Sequence, residues 1–144
     1  MFVWQELLLP LHLTTLTVTG IFVLLADHQG YLWFVGKKQT LEIRTLRRYH
    51  YAVLAGLFLM IASGATMAWP VMHYLLGTSA FYIKMTFVVT LFLNSFVIWK
   101  FLPVSTTRAF ATLSFKEKIP LFVSGGISML CWVGAATTAF FLFP

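Results

Sequence analysis

Four apolar runs take up most of this chain, at about residues 7–26, 51–69, 80–102 and 120–143. A helix needs about 20 apolar residues to cross the hydrocarbon core of a bilayer, so each run is long enough to span. Only 10% of the residues are charged and 60% are hydrophobic, whereas a soluble domain carries about 25% charged residues. The chain lacks the polar groups to cover a soluble surface. Its connections are short, which predicts an all-α, up-down-up-down bundle of four transmembrane helices. The whole of residues 1–144 reads as one integral membrane domain with no soluble domain beside it. The first run has no basic segment before it and no small-residue cleavage site after it, so it reads as a span rather than a signal peptide.

Prolines punctuate the runs. Pro10 is expected in the first turn of span one, where a missing N–H costs little. Pro70 and Pro103 are expected to close spans two and three, and Pro120 to open span four.

The basic residues set an orientation. Lys37, Lys38, Arg44, Arg47 and Arg48 lie between spans one and two, and Lys100, Arg108, Lys116 and Lys118 between spans three and four. The second connection, residues 71–79, holds no Lys or Arg. The positive-inside rule places both basic connections in the cytoplasm and both termini outside. A multi-pass protein of the plasma (inner) membrane is expected. Trp4 and Trp69 would then lie near the outer interface, and Trp33 and Trp99 near the inner one. The net charge of +6 comes from residues beside the spans and points to no nucleic-acid partner.

Small residues mark helix seams. Ala52, Gly56, Met60, Gly64 and Ala68 form one i,i+4 row in span two. Span four has two such rows, Ser124-Ser128-Trp132-Ala136 and Gly126-Leu130-Gly134-Thr138. Such rows let membrane helices approach closely.

Polar side chains at bilayer depth are costly and mark candidate sites. His12 lies within span one, with Thr15 and Thr19 on the same helical face. That face suits either a ligand or helix packing. Lys84 lies near the outer end of span three, at the depth of His12. It would either snorkel to headgroups or face the bundle. Thr86, Thr90 and Asn94 form a ridge on the same span, where Asn94 is deep enough to bond to another helix. His28 and His50 lie at the inner ends of spans one and two and are expected to approach each other, with Asp27 orienting His28. His73 lies past span two, on the outer side. Arg48, with Arg44 and Arg47, is suited to anionic headgroups or a cofactor carboxylate. Glu117 is expected to be paired at the interface. The single Cys131 can form no internal disulfide. No glycine-rich phosphate loop, paired-Cys motif or nucleophile elbow appears. None of the four acidic residues is mid-membrane, which counts against a carboxylate-driven pump.

The order of short motifs also has a counterpart. Pro10-Leu11-His12 opens span one, and Arg47-Arg48 precedes span two, which contains Ser63-Gly64. Ile83-Lys84 opens span three, and Lys116-Glu117-Lys118-Ile119-Pro120 opens span four. This order resembles the HemJ-type protoporphyrinogen oxidases and the copper-resistance D-like four-helix membrane proteins. In that type a first-helix histidine and a lysine at the start of the third helix serve b-type haem and activity. An Asn-Glu-x-Pro run precedes the last helix; here Lys116 stands in place of the asparagine. The resemblance implies haem b, His12 as its ligand and Lys84 in a catalytic role, with Arg48, Glu117 and Pro120 as further motif positions.

Three functions are consistent with these residues. The first is a haem-b-binding membrane redox protein, either a HemJ-like porphyrinogen oxidase or a quinone-linked electron carrier. In it His12 would ligate iron, Lys84 would pair with a propionate or an anionic substrate, and Thr15 and Thr19 would pack on the macrocycle. His28, His50 and Arg48 are further cofactor candidates. The second is a non-catalytic small subunit of a larger membrane complex, or a homo-oligomer. The third is a small oligomeric transporter or channel, disfavoured by the few ionisable groups within the spans.

Overall fold

The computed structural model describes residues 3–139 and Phe141, with side chains from Glu6 onward. The side chain of Trp4 and the expected end of span four near residue 143 lie outside the described residues. The described chain is helical, with no strand. Helix α1 runs Val3–Phe34, α2 Ile43–Ala68, α4 Ser79–Thr107 and α5 Phe115–Ala139. A 3₁₀ turn, Trp69–Val71, joins α2 to the single-turn helix α3, Met72–Leu75. Four stretches are long and apolar enough to cross a membrane: Glu6–Phe34, Ile43–Leu75, Ser79–Thr107 and Phe115–Ala139.

The helices overrun the apolar runs, and the prolines fall inside them. Helix α1 begins at Val3, so Pro10 lies beyond the first turn. Helix α4 continues through Pro103 to Thr107. There the hydroxyls of Thr106 and Thr107 donate to the Pro103 carbonyl at 2.9 and 2.8 Å. Pro70 does not end the second span, because the 3₁₀ turn absorbs it and α3 continues the rod. Helix α5 starts at Phe115, ahead of Pro120. Its start is set by Ser114 and Glu117. The Ser114 N–H and hydroxyl donate to Glu117 Oε2 at 2.8 and 2.9 Å, a capping box. The Glu117 carboxylate also pairs with Arg108, so its expected partner is found. Helix α1 ends where Gly36 takes a φ of 75°, the left-handed conformation that glycine supplies after a helix.

Helix α1 packs along α2 and α4 along α5, and α2 meets α4 to join the two hairpins. The small-residue row of α2 forms the first seam. Thr19 is 1% exposed, and a Cβ built on Gly56 would fall onto its hydroxyl. In the second seam a Cβ on Gly134 would meet the Phe87 ring at 2.6 Å. Asn94 pins the same pair of helices, as its depth in the span suggested. Its Nδ2 donates to the Ser124 carbonyl at 2.9 Å, and the Ser124 hydroxyl returns a bond to Asn94 Oδ1 at 3.0 Å.

Two apolar clusters hold the bundle. Leu57, Met60, Leu91 and Cys131 form one at mid-length. Trp33, Leu41, Leu46, Leu102 and Leu113 form the other, at the end that carries the basic connections. Trp33 is therefore not an interfacial anchor. It is 5% exposed and donates from Nε1 to the Arg108 carbonyl at 2.9 Å.

Gly56→Ala is expected to lower the stability of the detergent-solubilised protein by about 1–3 kcal/mol through overpacking, read as a fall in Tm. Thr19→Gly in the same chain should restore most of the loss. An unchanged Tm for Gly56→Ala would contradict this seam.

Candidate functional site

The side chains suited to ligand chemistry fall into two groups on either side of the mid-length cluster. The first surrounds His12 and the second lines a cleft near the basic end.

His12 is held by α2. Its Nδ1 lies 2.7 Å from Ser63 Oγ, and the Ser63 hydroxyl also lies 2.8 Å from the Leu59 carbonyl. A hydroxyl has one proton, and a carbonyl can only accept. When Ser63 donates to Leu59 it accepts from His12, a pairing that puts the proton on Nδ1 and leaves a lone pair on Nε2. Gly64 lies beside the ring, where a Cβ would stand in ordinary contact with His12 Cε1 at 3.4 Å. Lys84 is half-buried on α4, and no hydrogen bond joins it to His12 among the described residues. Thr15 and Thr19 do less for a ligand. Their hydroxyls donate to the Leu11 and Thr15 carbonyls at 2.8 and 2.6 Å, and Thr19 is spent on the Gly56 contact.

The His12–Ser63 pairing was not singled out from the sequence, although a signal for it was present. Thr19 meets Gly56. One heptad back along α1 and one forward along antiparallel α2 give His12 and Ser63, the pair that is hydrogen-bonded. Two residues facing each other across a seam predict the next pair at this spacing.

The second group lines an interhelical cleft of about 230 Å³, to which α1, α2, α4 and α5 all contribute. Its polar groups include Asp27, Tyr49, His50 and Ser128. The expected approach of His28 to His50 is not seen. His28 is exposed and does not line the cleft, whereas its neighbour Asp27 lines it with His50. Asp27 is itself exposed, so it meets the cleft at its rim. The His50 ring also packs on Trp99, with centroids 5.1 Å apart. Arg48 is exposed, as is His73. Arg47 lies over Trp99, 5.9 Å from the ring centroid.

No protein-family model matches the chain, no curated protein is detectably similar to it, and no solved structure matches it.

The tautomer is directly measurable. In protein labelled with ¹⁵N-histidine, solid-state NMR is expected to show one imidazole protonated at Nδ1, and Ser63→Ala should shift that signal. A His12 protonated only at Nε2 would contradict the hydrogen-bond assignment.

Proposed function

We propose that this is a multi-pass membrane redox protein that binds a b-type haem through His12. The observation that carries this reading is the hydrogen bond from His12 Nδ1 to Ser63, which leaves the Nε2 lone pair available. Ligating imidazoles are held in this way, by a partner on the nitrogen that does not bind metal. Among the described residues no cluster of three His, Cys, Asp or Glu side chains could hold a metal ion. The donor set does not suit a bare metal centre, but a single imidazole is enough for axial haem ligation. When bound, such a haem supplies one-electron transfer.

The chain's own groups have clear tasks in this reading. Ser63 fixes the tautomer and the orientation of the His12 ring. Lys84 supplies the positive charge for a propionate or for the carboxylate of a porphyrin substrate. Resemblance to the HemJ-type layout supports the same assignment of His12 and Lys84. Glu117 and Pro120 match that layout too, but here Glu117 caps α5 and pairs with Arg108, a structural task. The basic connections support an orientation with both loops in the cytoplasm and both termini outside, in the plasma (inner) membrane.

The test is haem content after expression with haem supply and purification in detergent. The wild type is expected to show a Soret band and a b-type pyridine haemochrome. His12→Ala should lose most of it. Ser63→Ala should bind haem about tenfold or more weakly, the cost typical of removing a ligand's hydrogen-bond partner. Lys84→Met should lower haem retention, and Glu117→Gln should leave it unchanged. A wild type without a Soret band, or His12→Ala with full haem content, would overturn the reading.

A further inference from the structure

The cleft near the basic end has no task in the His12 site. It lies between the mid-length cluster and the sealed end, with apolar walls that include Val53 and Phe101. No Lys or Arg lines it among the described residues. An anionic ligand would therefore find no counter-charge there, which excludes a phospholipid headgroup or porphyrin carboxylates as its natural contents.

What the cleft offers is hydrogen-bond donors. Tyr49 and His50 project from α2, and Ser128 and Trp132 line it from α5. None of these four side chains makes a hydrogen bond within the protein among the described residues, and no buried side-chain polar atom there is left without a partner. Their polar atoms thus face open space rather than protein. Helices α2 and α5 do not pack along each other, so the donors stand on separate sides of the cleft. A matching molecule is neutral, reaches the cleft from the hydrocarbon phase and carries an acceptor at each of two ends. Gly30 and Gly125 both line the cleft, and a Cβ built on either meets nothing within 4 Å.

We infer that this cleft binds the head group of a lipid-soluble quinone, with its carbonyl oxygens accepting from Tyr49 or His50 on α2 and from Ser128 or Trp132 on α5. Asp27 and His50 line the same cleft and would accept hydrogen bonds from the hydroxyls of the quinol form. The inference deepens the redox reading by naming a partner, but the cleft shares no residue with His12, Ser63 or Lys84.

The experiment titrates decylubiquinone into the full chain in phosphatidylcholine nanodiscs and follows tryptophan fluorescence, since Trp33 and Trp132 line the cleft. The wild type is expected to show saturable quenching above the linear quenching due to partitioning into lipid. Gly125→Leu places a side chain in open space and should abolish the saturable part while Tm and helicity hold. Gly30→Leu should do the same from the opposite wall, and serves if Gly125→Leu does not fold. His50→Leu with Ser128→Ala should weaken binding by about tenfold, the equivalent of about one net hydrogen bond. His12→Ala should bind decylubiquinone like the wild type, so that failure of haem binding and failure of quinone binding are told apart. Quenching that is linear in the wild type, or saturable and equal in folded Gly125→Leu or Gly30→Leu, would overturn the inference.

Discussion

A polar group held at bilayer depth must find its partner within the protein, because hydrocarbon offers none. This chain meets that requirement almost entirely by local means. Thr15, Thr17, Thr66, Thr86 and Thr137 each return their hydroxyl proton to the carbonyl four residues earlier. Asn94 and Ser124 satisfy each other across α4 and α5. His12 satisfies one nitrogen on Ser63. Among the described residues, the polar groups left without a protein partner include His12 Nε2 and Lys84 on one side of the mid-length cluster, the donors of the cleft on the other, and the hydroxyls of Thr14 and Thr90. A functional reading of the molecule therefore begins from groups whose bonding the fold leaves incomplete.

The α1–α2 seam sets where both groups fall. It steps in heptads from His12·Ser63 through Thr19·Gly56 to Ala26·Tyr49, where the cleft begins. At the middle level a threonine fills the space above a glycine, and the helices are locked. At the first level a histidine takes the place of the threonine and finds a serine. At the third, both residues line the cleft, and Tyr49 packs against Phe22. One register thus yields a hydrogen-bonded imidazole, a packed contact and a cavity.

Much of this was legible in the sequence. The number of helices, their order and the α2 packing row follow from apolar length and small-residue spacing, whereas of the α5 row Gly126-Leu130-Gly134-Thr138 only Gly134 meets a neighbouring helix tightly and Leu130 is exposed. The bond from Asn94 to a neighbouring helix followed from its depth alone. The helix ends did not. A proline is read as a boundary in water, but here Pro70 falls in the 3₁₀ turn Trp69–Val71 that leads into α3, and α4 runs through Pro103 to Thr107. Trp33 resembled an interfacial anchor, yet the two basic connections fold over it, with Leu41 N–H bonded to the Ser105 carbonyl at 2.9 Å. Composition cannot show that a connection folds back. The pairing of His28 with His50 is not seen, and Asp27 meets the cleft at its rim instead. The partner that His12 finds, Ser63, required the seam register.

The central claim is that His12 offers one imidazole nitrogen to a haem iron. The most direct test is electron spin-echo spectroscopy of the haem-loaded ferric protein carrying ¹⁵N-histidine. The account predicts the hyperfine signature of one coordinated imidazole nitrogen, absent in His12→Ala. A ferric spectrum with no coordinated imidazole, or one unchanged in His12→Ala, would contradict it.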